Sequence, residues 1–149
     1  MTFEDFTVLD FPRRGGMVYV LFWITDEVMQ TPFYVGETDR FFGRMDDYDR
    51  PVFACPTDFR VGEAIKHLKN ARNCRIIVKF KPSSDHRRER RKEENQIIQD
   101  LNGEERYLLN ELPGYNYVKA SEENVRLAIQ RFCDEHVANR GYRKASPRG

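Results

Sequence analysis

Apolar and β-branched residues form three short continuous runs, and this pattern predicts three β-strands. The first run, Met17–Ile24, contains no charged residue and lies between a Gly-Gly pair and a Thr-Asp turn. Such runs are typical of buried strands. The other predicted strands are residues 33–36 and residues 74–80. Three strands with a covered face are about the minimum for a stable sheet, so we expect a small three-stranded, mostly antiparallel central sheet.

Apolar residues spaced three or four positions apart predict helices on both sides of this sheet. The second strand leads into a helix that Pro51 stops, and Asp58 is the expected N-cap of the next helix. Residues 86–103 form a third predicted helix, with Gly103 as its terminator, and residues 121–140 form a fourth. The expected fold class is therefore α/β (α+β), with helices flanking one small sheet.

Three tyrosines and an arginine are expected to meet where the second strand leads into the first helix. Tyr19 and Tyr34 lie on strands that can pair. Arg44 and Tyr48 are four residues apart, so both side chains point from one helical face. Gly36 has no side chain, which lets the backbone approach a ligand closely. The pattern predicts a site built from phenols and a guanidinium.

A carboxylate on the third predicted helix is aimed at the core. Glu94 lies one turn before Ile97, Ile98 and Leu101 on the apolar stripe. Burying an unpaired ion is costly, so Glu94 requires a cation, a strong hydrogen-bond partner or a solvent-filled cleft. The alternative is a position at the rim, paired with an arginine of the same helix. One carboxylate with water ligands suits Mg²⁺ or Mn²⁺, whereas no Cys/His cluster offers a zinc site.

The composition is typical of a globular domain. Of the 149 residues, 40% are hydrophobic and 33% are charged, and no apolar run approaches the length of a membrane span. The first residues lack the basic and then apolar order of a secretory signal, so we expect a cytoplasmic protein. Cys55, Cys74 and Cys133 are far apart, which favours reduced thiols. With a formal charge of +1, a nucleic-acid partner requires basic residues concentrated on one face.

The positions of these residues resemble the GIY-YIG nuclease family. The segment MVY, ending at Tyr19, is similar to the first half of the family motif, and YVG, beginning at Tyr34, is similar to the second. Arg44 follows Tyr34 by ten residues, and Tyr48 follows four later. Each short motif is common alone, whereas their combination at this spacing is more specific. The resemblance implies a fold with a small central sheet and the activity of an endonuclease.

Two later residues extend the resemblance to about residue 115. Glu94, followed by NQII, is similar to the glutamate segment of the family, and Asn110, at the end of YLLN, is similar to its last motif residue. The alternative for Asn110 is an amide that braces a loop. The resemblance implies metal-dependent hydrolysis of DNA, with one Mg²⁺ or Mn²⁺ ion on Glu94 and the phosphate on Arg44.

The resemblance also implies roles for the tyrosines. Tyr19 is expected to position or deprotonate the attacking water, with Tyr34 and Tyr48 as hydrogen-bonding partners. A phenol with a pKa of about 10 is a poor base at neutral pH unless cations lower it, so the identity of the base stays open. The residues expected to bind substrate are Gly36, Arg87, Arg90, Arg91 and Asn110.

The same residues are compatible with two other functions. One is a domain of the same fold that binds nucleic acid or protein without cutting, and another is a nuclease specific for RNA or single strands. Glu37 stands where several family members carry lysine or a small polar residue, and Asp46, Asp47 and Asp49 add negative charge around Tyr48. These acidic residues predict a lower affinity for phosphate.

The predicted domain organisation has four parts. Residues 1–14 form an N-terminal arm, residues 15–115 form the nuclease-like domain, residues 116–141 supply a C-terminal helix packed on it, and residues 142–149 are a basic disordered tail. His136 on the apolar side of the C-terminal helix is interpreted as a histidine at the edge of the core. The oligomeric state is not predicted.

Overall fold

The computed structural model describes residues 7–8, 15–25, 29–50, 55–112 and 121–143. The strands are β1 (Thr7–Val8), β2 (Met17–Ile24), β3 (Thr31–Thr38) and β4 (Arg75–Pro82). The helices are α1 (Phe41–Asp49), α2 (Pro56–Asn70), α3 (Arg87–Gly103) and α4 (Glu122–Ala138), with a short 3-10 helix at Leu109–Glu111.

The strands form one antiparallel sheet in the order β1-β4-β2-β3. The three predicted strands are present, and they make up most of the sheet. The prediction of a three-stranded sheet is corrected by β1, a two-residue strand that pairs with β4 at the edge. The small α+β class is confirmed.

Strand β2 is buried on both faces, which explains its continuous apolar sequence. Odd-numbered residues from Met17 to Trp23 belong to a core that also contains residues of α1, α2 and α4. Even-numbered residues from Val18 to Phe22 pack in a second cluster with Ile97 of α3. The sheet therefore lies between two helical layers.

Several element boundaries differ from those predicted. Strand β3 runs two residues further at each end than residues 33–36, because its backbone pairs with β2 up to Thr38. Helix α2 begins at Pro56, so Asp58 lies in its first turn and is not its cap. Gly103 is still helical, and the chain leaves α3 through Glu105, which has a positive φ of 64°.

The C-terminal helix belongs to the same core as the sheet. Ser121 caps α4 by accepting a hydrogen bond from the Asn124 amide, as its position predicts. His136 is buried, accepts a hydrogen bond from the Trp23 indole at 2.8 Å and contacts the Tyr107 carbonyl. Burial lowers the pKa of His136 to about 4. The interpretation of His136 as a core residue is confirmed.

Parts of the predicted arm and tail lie outside the described residues. Of residues 1–14 only β1 is described, and of residues 142–149 only the first two are. Within the described ranges, no helix combines the length and apolar character needed to cross a membrane. Cys74 and Cys133 are buried, Cys55 is exposed, and all three are free thiols.

Candidate active site

The three tyrosines of the predicted site meet at the edge of the sheet near α1. In the pairing of β2 with β3, Tyr19 faces Gly36 and Leu21 faces Tyr34, which brings both phenols to one side. Their ring centres are 6.4 Å apart. The hydroxyls of Tyr19 and Tyr48 are 2.5 Å apart and share a hydrogen bond. We call Tyr19, Tyr34 and Tyr48 the tyrosine wall.

Gly36 makes room for this wall. A β-carbon at Gly36 would lie 2.3 Å from the Tyr19 ring. The prediction was that a ligand would approach the backbone here, but the Tyr19 ring fills that space. Gly36 is therefore a packing requirement of the site.

Burial keeps the phenols protonated. It raises the pKa of Tyr19 and of Tyr48 well above the ordinary value. It also raises the pKa of Tyr34 to about 12, and the negative charge of Glu94 acts in the same direction. At neutral pH each phenol can donate a hydrogen bond, whereas none carries the charge of a strong base.

Arg44 shares a cleft with the tyrosine wall. Its Nη1 donates to Asp58 of α2 at 2.9 Å, which ties α1 to the first turn of α2. Two of the acidic residues around Tyr48 have basic partners, because Asp46 pairs with Arg50 and Asp47 pairs with Arg40. Neither of those two carboxylates lines the cleft that contains Arg44.

Glu94 reaches the same cleft from α3. Its carboxylate is partly buried, and no hydrogen bond or ion pair joins it to another residue in the described part of the chain. Burial raises its pKa to about 7, and the nearby charge of Glu37 adds to the increase. The positive charges of Arg91, Arg44 and Arg87 act in the opposite direction. The alternative of a direct pair with an arginine at the rim is not observed.

Glu93, the neighbour of Glu94 on the same helix, has both an ion-pair partner and a hydrogen-bond partner. Lys81 lies 2.6 Å from it and the Ser83 hydroxyl donates at 2.7 Å. Burial opposes the ionisation of Glu93, but these two partners outweigh it and hold its pKa below the ordinary value. Glu93 does not line the cleft.

The three arginines predicted to bind substrate separate into two groups. Arg87 and Arg91 line the cleft. Arg90 does not, because it is 4% exposed and its Nε donates to Glu37 at 2.7 Å. Its Nη1 also donates to the carbonyls of Ser84 and Asp85. Arg90 anchors α3 to β3 and to the turn before α3, so its predicted contact with substrate is corrected.

Asn110 lines the cleft while bracing its floor. Its Oδ1 accepts a hydrogen bond from the Val35 amide at 2.9 Å, and its Nδ2 donates to the Val35 carbonyl at 2.8 Å. Strand β3 is at the edge of the sheet, so Asn110 satisfies backbone groups that no further strand pairs there. Both hydrogen bonds hold backbone groups of β3, so Asn110 has the geometry of a bracing amide.

Three residues of the cleft, Glu37, Thr57 and Arg60, are not among the predicted site residues. Glu37 belongs to β3, and Thr57 and Arg60 belong to α2. Arg60 lies one and two turns before Ala64 and Leu68, both of which are buried. The helical spacing that predicted the inward direction of Glu94 therefore also predicts that Arg60 faces the core side of α2.

The assembled cleft is polar and has a volume of about 380 Å³. It is lined by Tyr19, Tyr34, Glu37, Arg44, Tyr48, Thr57, Arg60, Arg87, Arg91, Glu94 and Asn110. Four arginines and two glutamates give this lining a positive balance, although the whole chain has a formal charge of only +1. The described residues contain no group of three or more His, Cys, Asp or Glu arranged around a metal ion. Glu94 is the lining residue best suited to hold a cation, because its carboxylate is desolvated and unpaired.

Comparisons of the chain with protein-family models, with curated proteins and with solved structures find no match. What the cleft can do is therefore inferred from its own residues.

Proposed function

We propose that this chain is a metal-dependent endonuclease that hydrolyses DNA phosphodiester bonds, similar to the GIY-YIG nucleases. The observation that carries the proposal is Glu94, a partly buried and unpaired carboxylate in a cleft that also holds Arg44 and three buried phenols. A structural glutamate in a folded domain normally has a partner, as Glu93 does. Glu94 has the features of a functional group.

The residues fit a divalent cation. A cation on Glu94 would stabilise the ionised carboxylate, whose pKa burial has raised to about 7. Oxygen ligands and water suit Mg²⁺ or Mn²⁺. When bound, such an ion supplies a Lewis acid for the phosphate and its leaving 3′ oxygen.

Arg44 supplies charge for the substrate phosphate. A guanidinium binds a phosphate through two parallel hydrogen bonds and stabilises the negative charge that develops during hydrolysis. Its bond to Asp58 uses Nη1 and fixes the direction of the side chain. Arg44 therefore enters the reaction already oriented.

The tyrosine wall orients the attacking water. Because Tyr19 and Tyr48 share one hydrogen bond, their hydroxyls are held in place. Their raised pKa values favour positioning over deprotonation. Tyr34 completes the wall, and at 8% it is the most exposed of the three phenols.

Arg87 and Arg91 extend the positive lining along α3. They are four residues apart on one helical face, with Glu94 less than one turn further on. We assign them to contacts with the nucleic-acid backbone. Asn110 acts indirectly, because both ends of its amide hold Val35 next to Tyr34.

The test is cleavage of labelled double-stranded, single-stranded and branched DNA with Mg²⁺, with Mn²⁺ or with EDTA. We compare wild type with Glu94→Gln and use Glu93→Gln as the matched control on the same helix. Cleavage that requires the metal, is lost in Glu94→Gln and persists in Glu93→Gln would support the proposal. Binding without cleavage by wild type would indicate a binding module. Cleavage of RNA in a parallel assay, without cleavage of DNA, would indicate that the substrate is RNA. Equal cleavage by Glu94→Gln would overturn the proposal.

A further inference from the structure

We propose that Arg60 is a second phosphate-binding residue, which contacts the phosphate next to the scissile one on a polynucleotide strand. The inference deepens the proposed endonuclease function and rests on it. It implies that the cleft selects a strand with several phosphates over an isolated phosphodiester.

Arg60 reaches the cleft from α2. It lies in the second turn of α2 and lines the same cleft as Arg44 and Glu94. The positive charges of Arg60 and Arg44 both act to lower the pKa of Tyr34, against the larger effect of burial. Two guanidiniums from two different helices therefore converge near one phenol.

Arg60 has no counter-ion among the described residues. Arg44 has Asp58, and Arg90 has Glu37. Arg60 instead donates Nη1 to the uncharged Leu112 carbonyl, and no carboxylate pairs with it in the ranges that the structure describes. Its Nε is buried without a hydrogen-bond partner among those residues. A guanidinium that lines a cleft and is paired with no described carboxylate is prepared for an anionic ligand.

The arginines that line the cleft come from three helices. Arg44 already serves the reacting phosphate in the proposed function. Arg87 and Arg91 lie on α3, whereas Arg60 lies on α2 and lines the same cleft as Arg44. A nucleic-acid strand offers successive phosphates to two guanidiniums, whereas a single phosphodiester offers only one charge.

The first measurement is the salt dependence of binding to a short DNA duplex, made in a Glu94→Gln background so that the DNA is not cut. Each phosphate contact contributes a slope of about 0.9 in the plot of log K against log salt. Arg60→Gln removes the positive charge and keeps a polar side chain. We expect Arg60→Gln to reduce the magnitude of this slope by about 0.9 and to raise the Kd for the duplex about tenfold. Arg131→Gln, which removes an exposed charge of α4 outside the cleft lining, should change neither.

Arg60→Lys separates charge from structure. Lysine keeps the positive charge and loses the planar guanidinium that reaches Leu112. Retention of the wild-type slope by Arg60→Lys would support phosphate binding. A loss as large as that of Arg60→Gln, or unfolding of either variant by circular dichroism, would assign Arg60 to bracing and overturn the inference.

The second measurement uses substrates of different length with the wild-type and Arg60→Gln enzymes. For an oligonucleotide, kcat/KM should fall about tenfold in Arg60→Gln. For the p-nitrophenyl ester of thymidine 5′-monophosphate, which has one phosphodiester, it should not change. Equal losses on both substrates, or no loss on either, would overturn the inference.

Failure of the inference and failure of the proposed function can be distinguished. If wild type cleaves DNA but Arg60→Gln matches Arg131→Gln in every assay, only the inference fails. If wild type cleaves nothing, the proposed function fails, and the salt slope still decides whether Arg60 binds a phosphate. If wild type does not bind DNA, both fail.

Discussion

The cleft has two parts with opposite character. The tyrosine wall is buried, neutral and internally hydrogen-bonded, and it is built from two strands and α1. The other part, which we call the α3 face, consists of Arg87, Arg91 and Glu94 and is charged and more exposed. The tyrosine wall depends on packing, so its geometry is set by the core. The α3 face depends on charge, so its state changes with pH and ligands.

The two parts are held together by Arg90 and Glu37. Arg90 comes from α3 and Glu37 from β3, and their buried ion pair fixes α3 beside the strand that carries Tyr34. Four variants distinguish the two parts, and their expected effects decrease in the order Arg90→Ala, Arg44→Ala, Gly36→Ala and Glu94→Gln.

Arg90→Ala should separate the two parts. Removing Arg90 leaves the largely buried Glu37, whose side chain is 12% exposed, with the longer contact to Arg87, at 3.7 Å, as its remaining ion pair in the described part of the chain. Breaking a buried pair costs about 3–5 kcal/mol of unfolding free energy, measured in urea. The matched control is Arg91→Ala, an exposed neighbour that should change stability by less than about 0.5 kcal/mol and weaken DNA binding. Equal stabilities of the two variants would contradict the anchoring role.

Arg44→Ala should remove phosphate stabilisation while leaving the tyrosine wall packed. We expect kcat for DNA cleavage to fall by about 10²–10³, which is the effect of removing one preorganised donor. The control is Arg40→Ala, which removes an exposed guanidinium paired with Asp47 outside the cleft. A loss in Arg40→Ala as large as in Arg44→Ala would point to general electrostatics.

Gly36→Ala should disturb the tyrosine wall by overpacking. The new methyl group would overlap the Tyr19 ring, and such overpacking costs about 1–3 kcal/mol. Gly103→Ala is the control, because a β-carbon there meets no atom within 4 Å among the described residues. Since Gly103 is helical, its replacement should be neutral or stabilising by up to about 1 kcal/mol. Chemical denaturation of both variants measures the free energy of unfolding. An unchanged free energy in Gly36→Ala would show that the Tyr19 ring can move to make room for the methyl group.

The α3 face should respond to pH through Glu94. Its pKa rises from an ordinary value of 4.5 to about 7 in the folded protein, so the folded state binds a proton that the unfolded state has lost. Without divalent ions, wild type should therefore lose stability relative to Glu94→Gln as the pH rises from about 4.5 to about 7.

Thermal unfolding of both proteins across this range measures the effect. His136 titrates in both proteins, so its contribution cancels in the difference. Added Mg²⁺ should stabilise wild type more at the upper end of the range, because binding requires the ionised carboxylate. Parallel melting curves for the two proteins would show that Glu94 keeps an ordinary pKa.

Some features of the cleft follow from local sequence rules. Eight apolar residues bounded by turn residues predicted β2, because a strand covered on both faces needs no polar side chain. The helical repeat placed Glu94 on the inner stripe with Ile97 and Leu101, since side chains three, four and seven apart share a face. The same repeat places Arg90 on that stripe, one turn before Glu94, and it is indeed buried.

Other features depended on contacts between distant parts of the chain. Arg90 is buried because Glu37, 53 residues away, offers it a carboxylate, and Arg60 lies against Leu112, 52 residues away. Gly36 is required by Tyr19, which reaches it only through the pairing of two strands. Periodicity predicts which face of its element a residue occupies, but it does not predict which residues of other elements pack against that face.

Backbone periodicity and the burial of apolar surface are local properties, and they were sufficient to predict β2, β3, β4, the four helices and the inward direction of Glu94. Which charges are paired depends on how distant elements pack. Arg44, Arg90 and Glu93 have partners, whereas Arg60 and Glu94 lack charged partners within the described ranges. The physical reason is that an ion pair requires two groups within about 4 Å, and that separation is set by packing between elements.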